Sequence, residues 1–339
     1  MRRLLAAAFV LLLAAGGRSA PATLDIYFID VEGGQSTLVL TPTRQSLLID
    51  TGYPSPVGRD PDRIMSAVRD ARVSRIDFLL ITHLHEDHNG GAAELSRRIP
   101  IGAFIDYGAP VETGKDVADA FAAYEQARSR AAHLIPSPGD HLPVEGVRVD
   151  VVSAGGSTIV KPLDGGGQPN LACAGYQPRP RDITAENPRS IGVRVAFGAF
   201  RFLDVGDLGW NKLGDLVCPD NLIGEIDAYL VAHHANGDTN VAALLAAIRP
   251  RVAIANNGPY KGATPNALTT LHEMVGSEGV WQLHRSLFDG APNSPDPFIA
   301  NVDVDQKDEA AWLKLSATAD GRFTMTNSRT GWMRTYEVR

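Results

Sequence analysis

The chain has 339 residues, 44% of them hydrophobic and 21% charged, with a formal net charge of −7. That is enough apolar material for one large core. Lysine and arginine occur only as scattered pairs, so the acidic balance excludes a surface built to neutralise long nucleic acid.

The elements follow in chain order. Arg2 and Arg3 precede an apolar run from Leu4 to Ala15, too short to span a bilayer comfortably and followed by small residues. This reads as a secretory signal peptide over residues 1–22, with cleavage after Ala20-Pro21-Ala22, and an uncleaved anchor is the alternative. Loss of Arg2, Arg3 and Arg18 leaves 29 basic against 39 acidic residues, a net charge of −10. The expected location is periplasmic or secreted, and nothing else in the chain is apolar for long enough to span a membrane.

A strand is expected over Leu24 to Asp30, and another over Ser46 to Ile49 ending in Asp50-Thr51-Gly52. The strand Ile76 to Ile81 runs into Thr82-His83-Leu84-His85-Glu86-Asp87-His88-Asn89-Gly90-Gly91. Imidazole and carboxylate together suit Zn²⁺ and its neighbours. His83 and His85 sit two apart, so in an extended loop they face one side and grip one ion. Asp87 and His88 follow where the chain bends and can face a second ion. A helix is expected from Ala92 to Arg98, and a second from Lys115 to Ala132 with His133 at its end. His141 falls in a turn before the strand Val144 to Val152. Residues 155–188 are rich in Gly and Pro without helical or strand period, and a loop of that length in a compact domain is usually functional or disordered. We expect it to fold over the site as a lid, pinned by a disulfide between Cys173 and Cys218, the two cysteines of the chain.

Phe200 to Val205 is an apolar strand leading to Gly206-Asp207-Leu208, and Ile226 to Ala232 is another, ending in His233-His234. Adjacent residues at a strand end point apart, so one histidine should bind metal and the other a substrate or carboxylate. The sequence leaves the choice open with a slight preference for His233. Pro265 to Val275 reads as a helix carrying His272. The strand Val280 to Leu283 ends at His284, placed at the mouth of a cleft. Three strands, Trp312 to Thr318, Arg322 to Asn327 and Trp332 to Val338, close the chain.

The run His83-x-His85-x-Asp87-His88 resembles the signature of the metallo-β-lactamase fold superfamily, and the resemblance extends to Asp50-Thr51-Gly52, Gly206-Asp207-Leu208 and His233-His234. It implies an α/β fold, a four-layer αββα sandwich over residues 23–310 with a C-terminal β extension over 311–339 packed on the same domain. It also implies two Zn²⁺ ions, with Mn²⁺ or Fe²⁺ as alternatives, held by His83, His85, Asp87, His88, Asp207 and the His233-His234 pair. Asp207 would bridge the ions, Asp87 would orient a shared hydroxide, and the unbound histidine would steady charge on the substrate. Asp30 and Asp50 are expected to be structural.

A narrower resemblance is to the hydrolase domain of ComEC-type competence proteins and to secreted phosphorylcholine-esterase-like phosphodiesterases. It rests on Phe28 to Ser36, the strand pair Ser190 to Asp207, His233-His234, and Arg251 to Gly258 followed by Thr264-Pro265. Those relatives carry a histidine just before the proline, where this chain has Thr264. Many superfamily members also supply a third histidine to the first metal. Only His133 and His141 lie in that interval, neither in the expected surroundings, so His83, His85 and Asp207 are left as in the phosphodiesterase-like relatives. The reading is an exported zinc-dependent hydrolase of a phosphodiester or similar small anionic ester. A β-lactam-hydrolysing enzyme and a non-catalytic metal- or ligand-binding protein are the alternatives. Oligomeric state is not encoded in any pattern found.

Overall fold

The structure is a computed structural model that describes residues 22–55, 57–180, 185–237, 242–303 and 311–337. The expected signal peptide lies outside the described residues apart from Ala22.

Alternating apolar residues in short strands demand cover on both faces, and two sheets supply it for each other. The first sheet has nine strands in the order Met333–Tyr336, Phe323–Asn327, Leu313–Ala317, Leu24–Phe28, Thr37–Leu40, Ser46–Ile49, Ile76–Leu80, Ile101–Ile105 and Ala132–Leu134. It is antiparallel up to Ser46–Ile49 and parallel beyond it. The second runs Ile299–Asn301, Val280–His284, Val252–Ala255, Ala228–Leu230, Phe200–Asp204, Gly192–Phe197, Arg148–Ala154 and His141–Leu142, with Ser157–Thr158 paired to Arg148–Ala154.

The strand period decides which residues meet. Ile26 and Phe28 face inward onto Phe202, Leu230, Ile254 and Trp281 of the other sheet, whereas Tyr27 and Ile29 face outward. Outside the first sheet, the helices Arg59–Asp70, Ala92–Arg98 and Lys115–Arg128 bury Ile64, Val68, Leu95 and Tyr124. Outside the second, Trp210–Asp215, Ala242–Ile248 and Pro265–Val275 bury Leu213, Leu244, Leu268 and Leu271. The result is the four-layer αββα sandwich.

Two expectations need correction. The helix from Lys115 stops at Arg128, and Ala132–Leu134 is an edge strand, so His133 lies within a strand and not at a helix end. His133 pairs with Asp106 at 2.9 Å and His141 with Asp150 at 2.8 Å, each in its own surface ion-pair group. Of the segment 155–188, the described stretch 155–180 is no lid. Gln168–Pro169 pairs with Asp220–Asn221, Tyr176 stacks on Trp210, and Cys173 is bonded to Cys218, which lays it along the helical layer of the second sheet. Polar and Gly-rich as it is, its backbone groups find partners there: Leu163 and Asn170 donate to Leu222 and Pro219.

The last three strands join the first sheet through Leu313–Ala317, antiparallel to Leu24–Phe28. Leu313, Leu315, Ala317, Phe323 and Met325 enter the core between the sheets. No helix among the described residues is long and apolar enough to cross a membrane.

Candidate metal centre

Each motif leaves the C-terminal end of a strand, and the two sheets bring those ends together. After Ile76–Leu80 the chain stays extended through His85, then turns into the short helix Glu86–Asn89. The extended part puts His83 Nε2 and His85 Nδ1 3.0 Å apart, facing one point. The helical part turns Asp87 and His88 beside them.

The loop is braced from below by Asp50-Thr51-Gly52. Thr51 donates to the His88 carbonyl from its amide at 2.7 Å and from its hydroxyl at 3.0 Å. This approach leaves no room for a side chain at Gly91, where a Cβ would lie 2.3 Å from the Thr51 carbonyl. Asp50 accepts from the Thr82 amide and hydroxyl and holds His88 Nδ1 at 2.7 Å. A carboxylate on Nδ1 fixes the ring so that Nε2 faces the cluster. From the Phe28 to Ser36 segment, the Gln35 amide donates to the Asp87 carbonyl, and its side-chain amide donates to Asp204.

Asp207 follows Phe200–Asp204 and spans the cluster. Its Oδ1 lies 3.3 Å from His88 Nε2, and its Oδ2 lies 3.4 Å from His234 Nε2 and 3.9 Å from His83 Nε2. His234 Nε2 also lies 3.1 Å from Asp87 Oδ2. Ligand atoms of Asp87, His88, Asp207 and His234 all fall within 4.8 Å of one another, and all four residues are buried. His83, His85 and Asp207 form the adjoining group.

The preference for His233 is reversed. His233, His234 and Ala235 all take left-handed backbone angles, with φ of 51°, 57° and 60°. Strand alternation therefore ends before the pair, and the left-handed turn carries the His234 ring into the cluster. His233 stays at the rim, with Nε2 3.7 Å from Asp207 Oδ2 and the side chain 18% exposed. His284 is also corrected. It is buried and bonded to Asp30 at 2.9 Å, with Arg63 on the same carboxylate oxygen, so it supports the floor and does not line the mouth. His272 bonds the Pro292 carbonyl away from the site. Of the nine histidines, five gather here and none of the other four supplies a third imidazole to His83 and His85.

The carboxylates of Asp87 and Asp207 are both held ionised and His88 is held protonated, a proton that a divalent ion at Nε2 would displace. Burial and then the neighbouring His88 push the His83 imidazole well below its usual range, so it is neutral. Burial pushes Asp87 up, but His88 and His234 outweigh it and hold the carboxyl well below the usual range. Asp207 is likewise pushed up by burial and held far lower by His234 and His88. His88 is pulled down by burial and raised well above its usual range by Asp207, Asp87 and Asp50. Two buried polar atoms, His88 Nε2 and Asp207 Oδ1, face one another without a hydrogen bond. Such atoms are costly unless something pairs with both. A divalent cation fits this donor set of imidazole nitrogens and carboxylate oxygens.

Four residues at the site carry no sequence motif. Glu112 Oε2 lies 3.4 Å from His85 Nε2, the ring atom turned away from His83. Glu186, the buried end of the inserted segment, accepts from the amides of Leu84 and Val111 and so ties that segment to the metal loop. Lys261 Nζ lies 2.5 Å from Asp87 Oδ2 and 2.7 Å from the Tyr53 hydroxyl. Burial pulls the Lys261 ammonium down, but the Asp87 carboxylate outweighs it and raises it. Thr264 makes no contact with the cluster; its hydroxyl donates to Asn266 Oδ1 at the start of the helix Pro265–Val275. A lysine in a Gly-Pro-Tyr loop has no spacing signal that singles it out.

A sandwich of this kind, with histidines and aspartates gathered where the strands of both sheets end, defines a metal-dependent hydrolase. The family model of the metallo-beta-lactamase superfamily matches residues 29–255, and the chain belongs to that superfamily. Over 67 residues it is 37% identical to an atrochrysone carboxyl ACP thioesterase of Aspergillus terreus, a match that spans 20% of this chain and 20% of that protein. Among solved structures it is similar to the metallo-beta-lactamase fold protein YhfI from Bacillus subtilis, with 10% identity, a TM-score of 0.46, and coverage of 76% of this chain and 95% of that one. It is also similar to Zn²⁺-bound PqqB from Methylobacterium extorquens, with 15% identity, a TM-score of 0.44, and coverage of 78% and 98%.

Proposed function

We propose that this protein is an exported hydrolase of a phosphodiester or similar small anionic ester, working with two zinc ions. The observation that carries the reading is the histidine count: His83 and His85 are joined by Asp207 and by no third imidazole, the ligand set of the ComEC-type and phosphorylcholine-esterase-like hydrolases that the sequence resembles. The packing of Phe28 to Ser36 under the metal loop supports the same resemblance. The disulfide supports an oxidising compartment outside the cytosol. The net acidic chain supports a small substrate over long nucleic acid.

Divalent ions bound here supply Lewis acidity and a water of lowered pKa. His83 and His85 would hold one, Asp87, His88 and His234 the other, with Asp207 between them. Asp50 keeps His88 in the binding tautomer. His233, at the rim, would donate to a substrate oxygen. Imidazole-rich ligation favours zinc, with Mn²⁺ or Fe²⁺ as substitutes.

The test is hydrolysis of a chromogenic phosphodiester by the zinc-loaded chain from Thr23 onward, beside Asp207→Ala. Turnover that disappears in the variant supports the reading. Equal turnover in both, or none in the parent protein, overturns it and brings thioester and lactam substrates forward.

A further inference from the structure

We propose that Lys261, steadied by Tyr53, is the anchor for the anionic oxygen of the substrate. This deepens the hydrolase reading above and rests on it. Among the described residues, Lys261 is the one lysine or arginine ion-paired to a carboxylate of the cluster. It reaches the oxygen of Asp87 that also faces His234 and His88, so its charge sits at the wall of the reaction site.

A surface lysine normally samples many rotamers, and holding one costs entropy. Here the stem is clamped. Gly33 packs so closely that a Cβ there would lie 2.9 Å from Lys261 Cβ, and the ammonium rests 5.1 Å over the Tyr53 ring. The loop is fastened by Gly258 and Lys261 at 2.9 Å and by Ala263 on the His234 carbonyl at 2.8 Å, which fixes Lys261 relative to the metal-binding histidine. The side chain is still 40% exposed. An ammonium has three donors. Asp87 and Tyr53 take two, which leaves one for an oxygen arriving from solvent. A compact point charge of this kind suits phosphate and carboxylate oxygens. The same geometry makes the ammonium a competitor of a divalent ion for Asp87 Oδ2, because like charges a few ångströms apart repel.

The experiment uses the zinc-loaded protein and inorganic phosphate as probe, followed by calorimetry so that turnover is not required. Lys261→Met should weaken phosphate binding by about tenfold to a hundredfold, the size of one charge-assisted hydrogen bond. Tyr53→Phe should weaken it by a few-fold, and Lys261→Arg should restore part of the loss. Lys115→Met, which removes an exposed lysine paired with Asp119, should leave it unchanged. In a separate zinc titration against a chromophoric chelator, Lys261→Met should bind the second ion more tightly than the parent. Phosphate affinity within twofold of the parent in Lys261→Met, an equal loss in Lys115→Met, or no phosphate binding by the parent overturns the anchor. A protein that cleaves the diester yet binds phosphate equally with and without Lys261 refutes this inference alone. Loss of phosphate binding in Lys261→Met without any diester turnover refutes the hydrolase substrate and keeps the anchor.

Discussion

Asp50 shows how a residue that touches no ion controls the site. It is buried, accepts three hydrogen bonds, and one of them sets the His88 ring. Asp50→Asn should lower affinity for the second divalent ion by about 10–100-fold, measured by chelator competition, with a smaller effect on the first. The histidine pair gives a sharper contrast. His234→Ala should reduce bound zinc from two ions towards one per chain, whereas His233→Ala should keep both and lose turnover; metal content by atomic absorption decides between them. Asp204 carries a pH signature. Burial raises its carboxyl from 3.8 to about 7, although Gly206 and Gln35 donate to it. The folded protein thus holds this proton between those values and the unfolded chain does not, so stability falls as pH rises through the window. The contribution is complete below 3.8 and gone above about 7. Relative to Asp204→Asn, the parent protein should lose up to about 4 kcal/mol between pH 4 and pH 7 in urea unfolding. A difference that stays constant with pH would mean that Asp204 is already ionised in the fold.

At the scale of elements, the segment between Ala154 and Gly192 joins two packed surfaces. Its middle is fixed to the outer helical layer by Cys173–Cys218 and by Tyr176 on Trp210, and its end reaches the metal loop through Glu186. Cys173 and Cys218 are 45 residues apart in the chain. Reduction, or Cys173→Ser with Cys218→Ser, should cost about 2–4 kcal/mol of stability and open the segment to proteolysis, read by thermal melting and by mapping the first cleavage sites. Cleavage elsewhere first would show that the hydrogen bonds alone hold it.

At the scale of the molecule, the C-terminal strands lie in the same sheet as the strand that leads into the metal loop. Leu313, Leu315, Ala317, Phe323 and Met325 are core residues that face Val195, Phe200 and other residues of the opposite sheet. Removing residues 311–339 should therefore leave Leu24–Phe28 an open apolar edge and yield insoluble or unfolded protein. A soluble, zinc-binding truncation would show that these strands are an appended layer.

Several elements and the metal-binding loop were legible in the chain because they are written locally, and the resemblance of that loop to a known superfamily implied the sandwich. Strand and helix periods mark Ser46–Ile49, Ala92–Arg98 and Pro265–Val275 at their observed bounds, and a His-x-His-x-Asp-His loop after a strand has few other uses. What it left open depends on where distant segments meet. The choice between His233 and His234 turned on three left-handed residues that no strand rule anticipates. The exclusion of His133, His141 and His284 needed their partners Asp106, Asp150 and Asp30, each remote in sequence or turned by the sheet. Lys261 meets Asp87 across 174 residues and Tyr53 across 208, so only the closing of the two sheets puts that charge beside the metal ligands.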